Sequence, residues 1–137
     1  MSMNNQEAAE KMAYHLGFQN KQSKDGNGNC LYRGPNELKC ALGCLIPDEL
    51  YESKFDYGGL GLGWNACGLI NYGPEILRNL DEDLLLYFQI IHDSYSPSEW
   101  RNTIQSYMNK FPEDVNKEKA LEAYDKGCSD RLKNGSN

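Results

Sequence analysis

The sequence predicts an α+β fold, a small β-hairpin or short antiparallel sheet packed against about five or six helices, with a helical C-terminal half. Three observations carry that expectation. Two short runs, Cys30 to Arg33 and Leu38 to Cys40, flank the turn-forming tetrad Gly34-Pro35-Asn36-Glu37, which is the pattern of a hairpin. Leu84, Phe88 and Ile91 recur at helical spacing, with Tyr87 beside them. Ser96-Pro97-Ser98-Glu99 reads as a capping box with proline at the first helical position.

The elements follow in order. Asn4 or Asn5 caps a first helix whose Ala9, Met12, Ala13 and Leu16 share one face, and Gly17 is the expected stop. The polar stretch from Gln19 to Asn29 reads as a loop. After the hairpin, Ala41 to Ile46 either continues the strand or starts a helix, and Pro47-Asp48-Glu49-Leu50 has the make-up of a first helical turn. Asp56 to Gly63 holds four glycines and is expected to be irregular. Short helices are expected from Trp64 to Ile70 and from Pro74 to Leu80. Asp81 or Asp83 then starts the helix of Leu84. Trp100, Ile104, Tyr107, Met108 and Phe111 form the apolar stripe of the next. A last helix runs from Pro112 to Lys126 and is expected to end at Gly127.

The 137 residues fit one domain spanning 1–137, with 129–137 as a frayed polar tail. A chain of this size buries about two thirds of its unfolded surface, so it needs no metal or disulfide to fold. Its formal net charge is −6. No run of Lys and Arg is present to displace counterions from a phosphate backbone, so direct nucleic-acid binding is not expected. An acidic domain suits a basic protein surface better. The N-terminal residues lack the apolar core of a signal peptide, and the densest apolar run, Leu84 to Ile91, is too short to span a bilayer. A cytoplasmic protein without membrane contact is therefore expected. Five cysteines in a reducing compartment are thiols, metal ligands or a nucleophile rather than a disulfide framework.

Four constellations invite chemistry. Cys30, Cys40, Cys44 and Cys67 would suit structural zinc, but paired C-x-x-C knuckles are absent, and buried thiols behave as small hydrophobes. Cys40 or Cys44 with His92 as base, oriented by Asp93 or Asp83, would make a cysteine hydrolase; no protease signature surrounds these thiols. Asp25 to Asn29 imitates the start of a calcium loop but places Cys30 at the required glycine and Asn36 at the bidentate position. Gly59-Leu60-Gly61-Leu62-Gly63 has neither phosphate-loop nor dinucleotide spacing. No cofactor is expected. Tyr51, Tyr57, Tyr72 and Tyr95 sit at element ends, where a partly exposed tyrosine serves recognition.

The stretch CLYRGPNELKCALGCLIPDELY, from Cys30 to Tyr51, resembles a loose set of uncharacterised small proteins from phages, prophages and bacteria. That set carries C-x-Y-R, a short glycine-containing turn, then K-C-A-x-G-x-L-I-P-D-x-x-Y. Leu85 to Asp93 and Ser98-Glu99-Trp100 resemble its later segments, so the likeness covers residues 5 to 111. The Gly58 to Gly63 stretch and the helix after Pro112 depart from it. The resemblance implies a mobile-element setting and says nothing of catalysis. By analogy of setting, the expected function is that of a non-enzymatic phage or prophage accessory protein. It would bind and inhibit a host protein with a basic surface, such as a bacterial defence effector of CRISPR type. Asp48, Glu49, Tyr51 and Glu52, with Tyr57 nearby, are the expected partner-binding residues. The hydrolase and the zinc-stabilised module are the alternatives.

Overall fold

The computed structural model describes residues 3–57 and 63–134. The glycine-rich stretch Gly58 to Leu62 lies outside the described residues. Seven α-helices occur among those described: α1 Asn5–Gln19, α2 Ala41–Leu45, α3 Ala66–Tyr72, α4 Glu75–Arg78, α5 Glu82–Ser94, α6 Trp100–Tyr107 and α7 Lys117–Lys133. Single 3-10 turns at Pro35–Glu37, Asp48–Leu50, Ser53–Phe55, Pro97–Glu99 and Met108–Lys110 punctuate them.

The fold is helical, and the expectation of an α+β architecture is wrong. Among the described residues the strand pairing consists of two isolated antiparallel bridges, Lys24 with Cys30 and Arg33 with Lys39. The chain does reverse at Gly34 to Glu37, where Asn36 and Glu37 both adopt positive φ. Three competitors stop a sheet from growing there. The backbone N–H groups of Tyr32 and Arg33 donate to the Asp56 carboxylate, at 2.7 and 3.0 Å, rather than to a neighbouring strand. On the other side, Cys40 is already the N-cap of α2, its Sγ accepting from Gly43 N–H. Further back, Ser23 N–H is consumed by a histidine ring of α5.

Caps and periodicity explain the helices. Asn4 and Glu7 form a reciprocal capping box at α1. Asp81 caps α5 through Leu84 N–H, Ser96 and Glu99 box the start of the α6 segment, and Asn116 caps α7. Ala9, Met12, Ala13 and Leu16 of α1 are fully buried, as are Leu84, Phe88 and Ile91 of α5 and Trp100 and Ile104 of α6. α5 runs through the middle, with α2, α3 and α6 against it, while α1 packs chiefly on α7.

Gly17 and Gly127 do not stop helices. Both lie inside them, where α1 crosses α7: a Cβ on Gly17 would meet the Tyr124 carbonyl oxygen at 2.3 Å, and one on Gly127 would meet that of Tyr14 at 2.3 Å. α1 ends instead at Asn20 in the left-handed conformation, and α7 continues to Lys133. The last turns of α7 are pinned, because Tyr14 Oη donates to Asp130 and Arg131 Nε donates to the Gly17 carbonyl.

Candidate functional site

The segment from Arg33 to Tyr57 is built around two charged groups. Asp56 is buried and accepts three hydrogen bonds, from Tyr32 N–H, Arg33 N–H and Tyr51 Oη. Burial and that bond to a carboxylate both push the Tyr51 hydroxyl pKa up. The Arg33 guanidinium lies 5.0 Å over the Tyr51 ring, donates to the Ile46 carbonyl at 2.5 Å and pairs with Asp48 at 2.7 Å. Lys39 approaches the same carboxylate at 3.8 Å. Together Arg33 and Lys39 hold the Asp48 pKa below the usual carboxylate range.

This construction divides the expected partner-binding residues. Asp48 and Tyr51 are engaged inside the chain: Asp48 is exposed but doubly paired, and Tyr51 is half-buried under Arg33. Glu49, Glu52 and Tyr57 face solvent, Glu52 lying 3.5 Å from Lys54. Two neighbours outside the expected set join them. Leu50 and Tyr72 both line a shallow cleft of about 160 Å³ together with Trp64 and Lys54. Leu50 is 46%, Tyr57 58% and Tyr72 80% exposed, unusual values for large apolar or aromatic side chains. The position of Tyr72 at a helix end was legible; that it shares a cleft with Leu50 was not, because α3 and the Asp48–Leu50 turn are distant in sequence.

The thiols take other roles. Cys40 is fully buried as a cap, and burial raises its pKa well above the ordinary thiol value. Cys44 Sγ donates to the Ala41 carbonyl, and burial pushes its pKa up to about 12. Cys67 is exposed on α3. Neither Cys40 nor Cys44 has a base in His92, whose two ring nitrogens are both engaged. Nε2 lies 2.9 Å from Ser23 N–H, and a backbone N–H can only donate, so Nε2 accepts. The neutral ring then carries its proton on Nδ1 and donates it to Asp93 Oδ1 at 2.6 Å. Asp93 does orient His92, as a triad would require, but the thiol beside it is Cys30.

Cys30, His92 and Asp93 bring their donor atoms within 4.8 Å of one another, the one such group of metal-ligating type among the described residues. Its chemistry does not suit a cation. A metal on Nδ1 would leave Nε2 either as an N–H pointing at the Ser23 N–H or as part of a fully deprotonated imidazolate. Nor does it suit a nucleophile. Burial, followed by the Asp93 charge and its hydrogen bond, pushes the Cys30 thiol up to about 12, so it stays protonated at neutral pH. The group works as a lock. His92, stacked on Trp100 with ring centroids 5.7 Å apart, fixes the loop through Ser23, while Gln22 Nε2 donates to the carbonyls of His92 and Tyr95 at the C-terminus of α5.

The loop that imitates a calcium site is satisfied internally: Asp25 Oδ1 accepts from Asn27 and Asn29 N–H, and these bonds hold its pKa down. Of the Gly59 to Gly63 run only Gly63 is described. Among the described residues no helix is long and apolar enough to cross a membrane.

No family model, curated protein or solved structure matches the chain.

Proposed function

We propose that the protein acts without catalysis, by docking the surface around Leu50, Tyr57 and Tyr72 onto a basic surface of a host protein. In the phage or prophage setting that its Cys30 to Tyr51 motif implies, the target is a bacterial defence effector of CRISPR type and the outcome is inhibition. One observation carries the reading: Leu50 and Tyr72 stand exposed on one cleft, beside a segment that is anchored by Asp56 and Arg33 and ends in the exposed Tyr57. Exposed aromatic groups on a rigid support are what a protein interface uses as anchors, because little side-chain entropy is lost on binding. Glu49 and Glu52 supply negative charge at the rim, and the chain's net charge of −6 favours approach to a cationic partner.

The test is made in a host whose defence nuclease is active. Expression of the protein is expected to restore plaquing of a targeted phage, and Leu50→Asp with Tyr72→Ala is expected to abolish the rescue while leaving the fold intact. Purified protein should capture the same effector in a complex that dissociates with added salt. Rescue that survives both substitutions, or no rescue by the parent protein against any effector class, would overturn the reading.

A further inference from the structure

On another part of the surface the fold assembles something that the linear sequence hides. A cavity of about 790 Å³ opens at the C-terminal end of α1, a size within the range of small-molecule sites. Lys11, Lys21, Lys39 and Arg131 line it, and Glu37 is the single carboxylate among its lining residues. These four cations come from α1, the following loop, the turn before α2 and α7, so no basic run announces them. In a chain of net charge −6, such a concentration of positive charge in a concave site is a local inversion of the protein's field.

Three of the cations are free to serve a ligand, and the fourth is held at long range. Lys11, Lys21 and Arg131 make no ion pair among the described residues, and the Lys39 pair with Asp48 is long at 3.8 Å. Arg131 uses only Nε, on the Gly17 carbonyl. Two groups in the wall register the charge. The pKa of His15 is lowered by burial first, against a raising hydrogen bond to the Lys39 carbonyl, with lesser lowering from the charges of His92, Lys39 and Lys11, and Lys11 and Lys39 are the leading influences opposing the rise at Cys44. The lining also includes an aromatic pair among polar residues: Tyr14 and Phe18 stack with centroids 6.0 Å apart and planes 10° apart. Hydrogen-bond donors and cations suit a phosphate, and a ring wall suits a planar group.

We infer that this cavity binds a small phosphorylated ligand of the nucleotide class, its phosphate taken by Lys11, Lys21, Lys39 and Arg131 and its ring by the Tyr14–Phe18 wall. The site is separate from the proposed protein-docking surface, so either assignment stands without the other.

The experiment titrates the ¹⁵N-labelled protein with AMP, with inorganic phosphate and with adenosine, each followed by amide shifts. AMP is expected to give saturable shifts confined to residues 11–21, 36–44 and the last turns of α7. Phosphate and adenosine are each expected to bind about tenfold or more weakly, since each lacks one of the two recognised groups. The double reversal Lys11→Glu with Lys21→Glu, at two exposed positions that leave the core untouched, should weaken AMP by about tenfold or more, whereas Lys110→Glu, on another face, should not. Non-saturating shifts, shifts centred elsewhere, adenosine or phosphate binding as tightly as AMP, or a double reversal that binds AMP like the parent would each overturn the inference.

Discussion

Replacing Asp56 by Asn exchanges one carboxylate oxygen for an NH₂ group at a point where three donors converge. Oδ1 takes Tyr32 N–H at 2.7 Å, and Oδ2 takes Arg33 N–H at 3.0 Å and Tyr51 Oη at 2.5 Å. The amide keeps one oxygen. Whichever way it is turned, at least one backbone N–H faces an NH₂ group and loses its acceptor. An orphaned buried donor costs about 1–3 kcal/mol, and the bonds that remain lose their charge assistance, about 1 kcal/mol more. Asp56→Asn should therefore destabilise the fold by about 2–4 kcal/mol, roughly 10 °C in Tm for a domain of this size. Tyr51→Phe removes only the hydroxyl and should cost about 1 kcal/mol. Equilibrium urea unfolding followed by the fluorescence of Trp64 and Trp100 measures both. An unchanged Asp56→Asn midpoint, or a Tyr51→Phe loss equal to it, would refute the claim that the carboxylate's bonds to backbone amides hold this segment. The double variant completes a cycle whose coupling term isolates the Tyr51–Asp56 bond.

Four further outcomes follow from the same structure. Gly17→Ala raises helix propensity, yet its methyl would press on the Tyr124 carbonyl at 2.3 Å, so a loss of about 3 kcal/mol in thermal unfolding is expected; a gain in Tm would sink the close-crossing argument. Glu37 adopts φ of 64°, so Glu37→Gly should stabilise by about 1 kcal/mol in the same measurement, and any loss would show that the backbone is not strained there. Cys30 and Cys44, with folded pKa values of about 12, keep their protons after the unfolded chain has lost them. The unfolded state then binds fewer protons, so stability is full below the unfolded thiol value near 9 and falls as pH rises towards 12. Thiol titration with a chromogenic disulfide at pH 8 should find Cys67 fast, Cys30 slow, and Cys40 and Cys44 silent until denaturant is added. Asp93→Asn should accelerate Cys30, and an unchanged Cys30 rate would remove Asp93 as a cause of its raised pKa.

Much of the helical half could be read directly, because its signals are local. Asp81, Ser96 with Glu99, and the spacing of Leu84, Phe88 and Ile91 each specify structure within a few residues, and each does so in the fold. The hairpin was misread because its fate rests on Asp56, more than twenty residues away, whose carboxylate takes the donors a strand would need. Gly17 and Gly127 were misread because the letter that permits a helix to stop also permits two helices to touch. The candidate site was half legible for a similar reason. Glu49, Glu52 and Tyr57 are exposed as expected, but Asp48 is claimed by Arg33 and Lys39, and Tyr51 by Asp56. Cys30 against Asp93, and the four cations of the α1 cavity, exist only after distant segments meet.

The crossing of α1 on α7 also dictates when this chain can finish folding. The buried face of Ala9, Met12, Ala13 and Leu16 leaves the ribosome about a hundred residues ahead of Tyr124 and Gly127. Closing a loop of that length precedes any reward from the contact, which slows folding and lengthens the time α1 spends with apolar surface uncovered. Until α7 emerges, α1 to α6 lack their clasp and are a client for whatever chaperone meets them. A premature stop anywhere before residue 117 would thus yield an aggregation-prone fragment, however complete its other five interior helices are.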